Sequence, residues 1–324
     1  MCIAIISTAH PEYALILINN RDEFLDRPTK IADWWDAPNS NVLAGRDLLR
    51  AEQGTWLGIT KEGRVAVLTN FREEGEIKPE ARSRGGLVTA FLTQPRDSDE
   101  STEDFVTSLV EGDGLKGIGG FSLICGKIGE PLAVISNRTP DVHGISWIVK
   151  QRDETIGLSN AVISDRSWVK VTEGEKLVGE MINEHETAKG SKDELLHSLF
   201  QILSHDTLPR FGTSKDWQSQ VKELRKSIFI PAMGGETTKQ ASAEDLAAAK
   251  TNTQLSVEKS EVKADSNALK GAYGTQKQTV ILVANDHRVT FVERTLSTQG
   301  HMKDSLHDIK SFEFVLNRRK VSVR

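Results

Sequence analysis

The apolar residues of this sequence fall mostly in short runs, and the order of these runs constrains the fold more than any other feature. Short apolar runs bounded by Gly, Pro, Asn and Asp are typical of β-strands. They come in blocks rather than singly. The predicted strands are 2–7, 14–18, 56–60, 64–69, 121–127, 132–136, 146–150, 155–157, 279–284 and 289–293.

Stretches with apolar residues three and four positions apart lie between the strand blocks and predict helices. These stretches are 84–92, 101–109, 173–204 and 221–228. A chain in which each strand alternates with a helix would favour a parallel, doubly wound sheet. Strands grouped in blocks, with helices between the blocks, instead predict an α+β fold.

The chain is interpreted as one domain that spans residues 1–324. Its hydrophobic fraction of 38% is enough to build a core, and single cores stop growing at roughly 250–300 residues. The segment 233–271 is rich in Ala, Lys, Glu, Ser, Thr and Asn and has almost no large apolar residues. Such a composition cannot offset the entropy of ordering, so this segment is predicted to be a disordered insertion.

Charge and hydropathy argue against two classes of partner. The 41 basic and 46 acidic residues are mixed along the chain, which gives no positive field for a nucleic-acid backbone. The longest apolar runs are far shorter than the roughly 20 residues of a transmembrane helix. The two cysteines, with no secretory signal before them, favour a reducing compartment, and we expect a cytoplasmic protein.

Common nucleotide and metal motifs are absent from the sequence. Gly112, Gly114 and Gly117 have the spacing of a dinucleotide-binding fingerprint, but they follow a predicted helix and precede a strand, the reverse of the required order. The eight histidines show no metal-like pairing. We therefore expect neither a nucleotide fingerprint nor a protein metal site.

Cys2 is the strongest candidate for chemistry. Cysteine is small enough for Met1 to be removed, which would leave a thiol and a free α-amino group on one residue. An α-amine has a pKa of about 7.7–8.0 and a thiol about 8.5, so the amine can accept the thiol proton without a histidine. The alternative is that Cys2 is a buried strand residue, since free cysteines are commonly buried.

Polar residues that follow three predicted strands are the other candidates. Arg21 and Asp22 follow the strand 14–18, where an acid can hold an amino group and a cation can lower a thiol pKa. Asn70 and Asn160 are candidate amide donors to an oxyanion. The competing interpretation is that all four residues belong to solvated turns.

Five short segments together resemble the NRDE family, also called the transport and Golgi organisation protein 2 family. They are Met1-Cys2, Asn20-Arg21-Asp22-Glu23, Ala44-Gly45-Arg46-Asp47, Gly54-Thr55-Trp56-Leu57-Gly58 and Tyr273-Gly274-Thr275. The resemblance covers about 1–230 and 273–294. It implies a four-layer αββα sandwich of the N-terminal-nucleophile (Ntn) hydrolase type. The sequence departs from the family at about 231–271 and at Gln276, where a basic residue is more typical.

The resemblance also implies site residues and a cellular role. It gives Cys2 as the nucleophile with Arg21 and Asp22 beside it, and a looser analogy with choloylglycine-hydrolase-like enzymes gives Asn70 and Asn160 as oxyanion donors. The family is associated with organisation of the Golgi and endoplasmic reticulum, with protein secretion, and with handling of haem or acyl-CoA-type lipids. These associations predict peripheral contact with Golgi, endoplasmic reticulum or mitochondrial membranes, but no defined reaction.

Three hypotheses follow. The first is a hydrolase that cleaves a non-peptide amide or a thioester through an acyl-Cys2 intermediate and needs no cofactor. The second is a non-catalytic carrier that holds haem or a fatty-acyl ligand in the same cleft, with Cys2 as a thiolate ligand of haem iron. The third is an interaction protein of the secretory pathway that uses 233–271 as a tether.

Overall fold

The computed structural model describes residues 1–70, 82–209, 222–233, 272–296 and 308–317. In these ranges the strands are β1 Ile3–Ser7, β2 Tyr13–Phe24, β3 Thr29–Trp34, β4 Val42–Asp47, β5 Leu57–Thr60, β6 Arg64–Asn70, β7 Phe121–Lys127, β8 Leu132–Ser136, β9 Ser146–Ile148, β10 Thr155–Leu158, β11 Tyr273–Ala284, β12 Arg288–Thr295 and β13 Ile309–Val315. The α-helices are α1 Gly85–Leu92, α2 Thr102–Glu111, α3 Val169–Ala188 and α4 Lys192–Leu203.

The strands form two antiparallel sheets. The first sheet has the order β10-β1-β2-β11-β12-β13, and the second has the order β3-β4-β5-β6-β7-β8-β9. β1 therefore lies inside the first sheet, paired with β10 on one side and β2 on the other. Two neighbours satisfy both backbone edges of the N-terminal strand, which fixes its position firmly.

Three apolar cores separate four layers. Successive side chains of β1 point to opposite faces, so Ile3 and Ile5 enter the core beneath α3 and α4, whereas Ala4 and Ile6 enter the core between the sheets. A third core packs α1 and α2 against the outer face of the second sheet, with Phe91 among its buried side chains. The layers are thus helix, sheet, sheet and helix, and the predicted αββα sandwich is confirmed.

Sequence patterns located most elements but not all. Each of the ten predicted strands is present, whereas β3, β4 and β13 were not predicted. The predicted helix 173–204 is two helices, because Lys189 adopts a left-handed conformation (φ 52°) and Ser191 begins α4 with a capping box to Glu194. The Ser-x-x-Glu spacing at 191–194 was the available signal for that break.

The prediction that the polar residues after 14–18 follow the end of a strand was wrong. β2 continues to Phe24, because β11 pairs with it as far as Tyr273↔Phe24, whereas β1 pairs with it only as far as Asn20. The polar side chains inside the strand find backbone acceptors of their own. Asn19 donates to the Ile3 carbonyl at 2.8 Å, and Asn20 donates to the Leu203 carbonyl at 2.8 Å.

Two expectations fall wholly or partly outside the described residues. The segment 234–271 lies there, so disorder of the insertion stays a prediction, as does the single-domain organisation. The helix predicted at 221–228 begins there as well, and its described part buries Leu224 and Ile228 in the core beneath α3 and α4. None of the helices in the described ranges is both long and apolar enough to cross a bilayer.

Candidate active site

Sheet register places Cys2 between two predicted site residues. β1 pairs with β2 at Ile3↔Asn20, so one further step puts Cys2 opposite Arg21. β1 pairs with β10 at Ala4↔Leu158, so two further steps put Cys2 opposite Asn160. Side-chain alternation then points Cys2 into the space between the sheets, on the same side as Ala4 and Ile6.

The N-terminal amine lies on the opposite face of the first sheet, beside Asp22. The amine nitrogen of Met1 is 3.3 Å from Asp22 Oδ2 and also donates to the Tyr273 hydroxyl. Thr275 Oγ1 donates to Asp22 Oδ1 at 2.7 Å. The second carboxylate oxygen, Oδ2, accepts no hydrogen bond from the described residues. Asp22 is therefore held by one oxygen while the other faces the chain terminus.

Lys170 is a second buried cation at Asp22. Its ammonium is 3.9 Å from Asp22 Oδ2, and it donates to the Met1 carbonyl. One helical turn later Gly174 packs against Ile5, where a Cβ would lie 2.5 Å from Ile5 Cδ1. Because residues four apart share a helix face, this close approach of α3 to β1 carries Lys170 over the N-terminus.

Burial dominates the acid–base properties of the cluster. It lowers the pKa of the N-terminal amine, and Asp22 opposes that shift. Burial likewise lowers the pKa of Lys170, and the Asp22 carboxylate opposes this shift too. Burial raises the pKa of Tyr273 well above the ordinary value for a phenol. A lowered pKa makes the neutral form of the amine, the form that accepts a proton, more abundant near neutral pH.

The surroundings of Cys2 favour the protonated form of its thiol. Burial raises its pKa, while the charges of the N-terminus and Arg21 oppose the shift. The thiol donates to the Asp22 backbone carbonyl, with a sulfur–oxygen distance of 3.7 Å. A nearby base is therefore needed to generate the thiolate that attacks a carbonyl.

Arg21 is fixed on three sides. Its guanidinium stacks on Trp56, 4.5 Å from the ring centroid, and Nη2 lies 4.0 Å from Asp47 Oδ2. Nη1 donates to Gln276 Oε1. The register shift of β11 between Thr275 and Lys277 makes Gln276 a bulge residue, which turns its amide toward Arg21. A lysine or arginine at this position has no acceptor atom for that hydrogen bond.

A cleft opens beside Cys2, Arg21 and Asp22, with about 650 Å³ of empty space that includes its open mouth. Four of the five segments that carry the family resemblance contribute lining residues, and the fifth, 273–275, contacts Asp22 through Thr275. Gly45 lies against Trp56, which a Cβ on Gly45 would meet at 2.7 Å. The other lining residues are Glu23, Arg27, Asp47, Arg50, Gly54, Thr55, Trp56, Leu68, Asn70, Ser83, Arg84 and Gly85.

The two asparagines occupy different positions. Asn70 ends β6, is half-buried and lines the cleft. Asn160 is buried and is not among the lining residues. It lies beside Ser159, whose hydroxyl donates to the Cys2 carbonyl at 2.7 Å and is 3.3 Å from Asn160 Oδ1. Asn160 thus lies beside the backbone of Cys2, whereas Asn70 lies at the cleft.

Sequence reasoning assigned no role to Lys170, Ser159 or Arg84. Lys170 is the second residue of α3, and its mixed sequence surroundings, Val169-Lys170-Val171-Thr172-Glu173, give no local pattern that marks it as buried. Ser159 is next to Asn160 in the sequence, and no sequence pattern distinguishes it as a site residue. Thr275 belongs to a segment of the family resemblance, but only the strand pairing Thr275↔Asp22 shows that its hydroxyl binds the Asp22 carboxylate.

The described residues contain no group of three or more His, Cys, Asp or Glu side chains arranged to hold a metal ion. For haem, Cys2 is the candidate ligand, and its thiol would have to lose a proton against the effect of burial.

The two antiparallel sheets and the helices packed on their outer faces define an α+β protein with a four-layer αββα sandwich, and Cys2 lies at the start of its N-terminal strand. The family model for Transport and Golgi organisation 2 matches residues 1–298. The chain therefore belongs to the Transport and Golgi organisation 2 family.

Relatives align along most of the chain. The human Transport and Golgi organization protein 2 homolog is 31% identical over 313 residues, which cover 94% of this chain and 93% of that protein. An uncharacterized protein of Saccharomyces cerevisiae is 32% identical over 314 residues, covering 91% and 92%. The Drosophila melanogaster Transport and Golgi organization protein 2 is 26% identical over 293 residues, covering 88% and 87%.

Solved structures are similar only at low scores. A Caenorhabditis elegans N-acylethanolamine-hydrolyzing acid amidase ortholog has a TM-score of 0.40 at 13% identity, covering 70% of this chain and 98% of that chain. Penicillin V acylase from Agrobacterium tumefaciens has a TM-score of 0.34 at 12% identity, covering 91% and 83%.

Proposed function

We propose that the chain, after removal of Met1, is a hydrolase that cleaves a non-peptide amide or a thioester through an acyl-Cys2 intermediate. The observation that carries the proposal is the placement of Cys2. Its thiol borders the cleft, and on the other face of the sheet Asp22, a carboxylate beside the chain terminus, lies 3.3 Å from the amine of Met1, the residue whose removal would expose the Cys2 amine. A thiol, an amine and a carboxylate that holds the amine are the groups an N-terminal nucleophile requires.

The reaction runs in two steps. The α-amine takes the proton of the Cys2 thiol, the sulfur attacks the substrate carbonyl, and the C–N or C–S bond breaks as the leaving group takes that proton. Water then attacks the acyl-Cys2 thioester and releases the acid and the thiol. Asn70 and Asn160 are the proposed donors to the oxyanion, and Arg21 stabilises negative charge beside the sulfur.

Removal of Met1 would vacate a defined position. Met1 is only 8% exposed and belongs to the core beneath α3 and α4, so an aminopeptidase must act before the N-terminal strand is buried. Asp22 Oδ2 and the Lys170 ammonium, which are 3.9 Å apart, would border the vacated space. Asp22 Oδ2, which is now 3.3 Å from the Met1 amine, is the proposed acceptor that orients the α-amine of Cys2.

Intact mass and turnover test the proposal together. Protein from its own cell type should lack Met1, and limiting iodoacetamide should modify Cys2. A panel of acyl p-nitroanilides and acyl thioesters of increasing chain length should then include compounds that the wild type hydrolyses. Cys2→Ala should lower turnover by at least about a thousandfold, as removal of a nucleophile does.

Cys125→Ala is the matched control, because Cys125 is a buried thiol in a different core and lies outside the cleft. It should keep wild-type turnover. Turnover that persists in Cys2→Ala, or protein that retains Met1, would refute the N-terminal-nucleophile mechanism. Uptake of haem or acyl-CoA by such an inactive protein would support the carrier hypothesis instead.

We further propose a cellular role in Golgi and endoplasmic-reticulum organisation and in secretion, with contact at the surface of these organelles or of mitochondria. The support is the name of the human relative, Transport and Golgi organization protein 2 homolog. Cells that lack the protein should show altered Golgi morphology or slower secretion, and wild-type protein should restore both. Failure of Cys2→Ala to restore them would tie the role to the cleft.

A further inference from the structure

One wall of the cleft is unusually rich in arginine. Besides Arg21, the cleft is lined by Arg27, Arg50 and Arg84. Arg27 has carboxylate partners, since its Nη2 is 2.7 Å from Asp47 Oδ2 and its Nη1 is 3.9 Å from Glu23 Oε2. Asp47 and Glu23 thus form ion pairs with Arg27, and the carboxylate of the third lining acid, Asp22, lies beside the N-terminus on the other face of the sheet.

Arg84 differs from Arg27 in this respect. No carboxylate of the described residues lies within 4 Å of its guanidinium, and its hydrogen bond goes to the Gly120 carbonyl at 3.3 Å. Burial lowers its pKa, Arg27 and Arg50 add to this effect, and Glu23 and Cys2 oppose it. A guanidinium stays charged in proteins, so Arg84 is a half-buried cation whose positive charge has no carboxylate within 4 Å among the described residues.

The backbone beside Arg84 adds to the positive potential. α1 begins at Gly85, and Ser83, Arg84 and Gly85 all line the cleft, so the N-terminal end of the helix forms part of the wall. The N-terminus of a helix carries partial positive charge. Gly54 fixes this turn in place, because a Cβ on Gly54 would lie 2.7 Å from the Gly85 carbonyl carbon.

We infer that Arg84, together with the first turn of α1, binds an anionic group of the ligand, a carboxylate or a phosphate, next to Cys2. Guanidinium groups bind both kinds of anion through charge-assisted, often bidentate hydrogen bonds. The inference rests on the proposed function in one respect, that the bound anion belongs to a compound whose acyl carbon meets Cys2. The substrate class is then an amide or thioester that carries a negative charge close to the scissile bond.

Paired alkylating reagents test the inference without a known substrate. Iodoacetate and iodoacetamide react with the same sulfur, but only iodoacetate carries a carboxylate. The ratio of their rates at Cys2, read by peptide mass spectrometry, should exceed the ratio measured with glutathione by about tenfold, the effect of one charge-assisted contact. Arg84→Gln should reduce the ratio to the glutathione value, and Arg84→Lys should retain part of the excess.

Arg96→Gln is the matched control. Arg96 is an exposed arginine that donates to Ser40 Oγ at 3.0 Å and does not line the cleft. It should leave the rate ratio unchanged. Any change in thiol reactivity affects both reagents alike and cancels in the ratio, so the iodoacetamide rate of each variant is the internal reference that separates anion binding from thiol reactivity.

Thermal unfolding provides a second readout for the case that buried Cys2 reacts with neither reagent. Inorganic phosphate or acetate should raise the unfolding midpoint of the wild type and of Arg96→Gln but not that of Arg84→Gln, because a ligand stabilises the state it binds. Comparison of the two anions identifies the preferred group.

The outcomes separate the two proposals. A rate ratio equal to that of glutathione in the wild type, with no anion-dependent midpoint, overturns the anion site. A wild-type excess that persists in Arg84→Gln overturns the role of Arg84. Dependence on Arg84 in a protein that retains Met1 and turns over no amide or thioester leaves the anion site standing and removes the hydrolase.

Discussion

Replacement of Asp22 by Asn removes the only carboxylate within 4 Å of two buried cations among the described residues. Asp22 Oδ2 is 3.3 Å from the N-terminal nitrogen and 3.9 Å from Lys170 Nζ. With an effective dielectric constant of about 20, these contacts are worth about 5 and about 4 kcal/mol before desolvation. Release of the carboxylate from its own burial offsets part of this energy. We expect a net loss of about 3–5 kcal/mol in the free energy of unfolding at pH 7.

The loss should shrink as pH rises. Burial already lowers the pKa values of the N-terminal amine and of Lys170, and Asp22 opposes both shifts. Without Asp22 the two folded-state pKa values fall further below those of the unfolded chain. Between the folded and unfolded values the unfolded chain binds more protons, so the stability of Asp22→Asn climbs with pH more steeply than that of the wild type.

Urea unfolding at pH 6, 7 and 9, with protein whose intact mass includes Met1, measures the effect. The double variant Asp22→Asn/Lys170→Met should recover at least about 1 kcal/mol relative to Asp22→Asn, because one uncompensated cation is gone. Asp113→Asn, which breaks an exposed ion pair with Lys116, should change stability little. The reasoning is refuted if Asp22→Asn unfolds like the wild type at pH 7, or if the double variant is no more stable than the single one.

Three further predictions concern other parts of the molecule. Gly54→Ala should lower the free energy of unfolding by about 1–3 kcal/mol in the same urea experiment, because its Cβ would lie 2.7 Å from the Gly85 backbone. Gly86→Ala is the control: a Cβ there meets nothing within 4 Å, so the change should be neutral or should stabilise α1 by up to about 1 kcal/mol. His10 Nδ1 accepts a hydrogen bond from the Glu12 amide, and His10 Nε2 is 3.1 Å from His185 Nδ1. Burial lowers the pKa of His10 below its value in the unfolded chain, so the free energy of unfolding should fall as pH drops from 7 toward 5. His185→Asn should make that fall smaller, because the second imidazole also lowers the pKa of His10. Burial raises the pKa of Cys125, so limiting iodoacetamide at pH 8 should leave it unmodified in native protein, and a label on Cys125 before unfolding would contradict this.

Local patterns in the sequence were enough to define the architecture. Strand runs such as those that became β1, β7 and β8 carry enough apolar residues, with turn residues at their ends, to be recognised alone. Their grouping into blocks indicated an α+β fold, and the resemblance indicated its four layers. Cys2, Arg21 and Asp22 were also identified in advance, as residues of recognisable segments, although their roles in chemistry remain predictions.

Tertiary structure decided what these segments do to one another. β2 extends through the polar run to Phe24 because β11 pairs with it there, and no local pattern in the sequence indicates a partner strand about 250 residues away. The same pairing brings Thr275 to Asp22, and the packing of α3 brings Lys170 to the N-terminus. The sequence alone does not show how the charges at 21, 22, 84 and 170 interact. Solvation and Coulomb energies depend on burial and on the distance between charges, and the tertiary fold sets both.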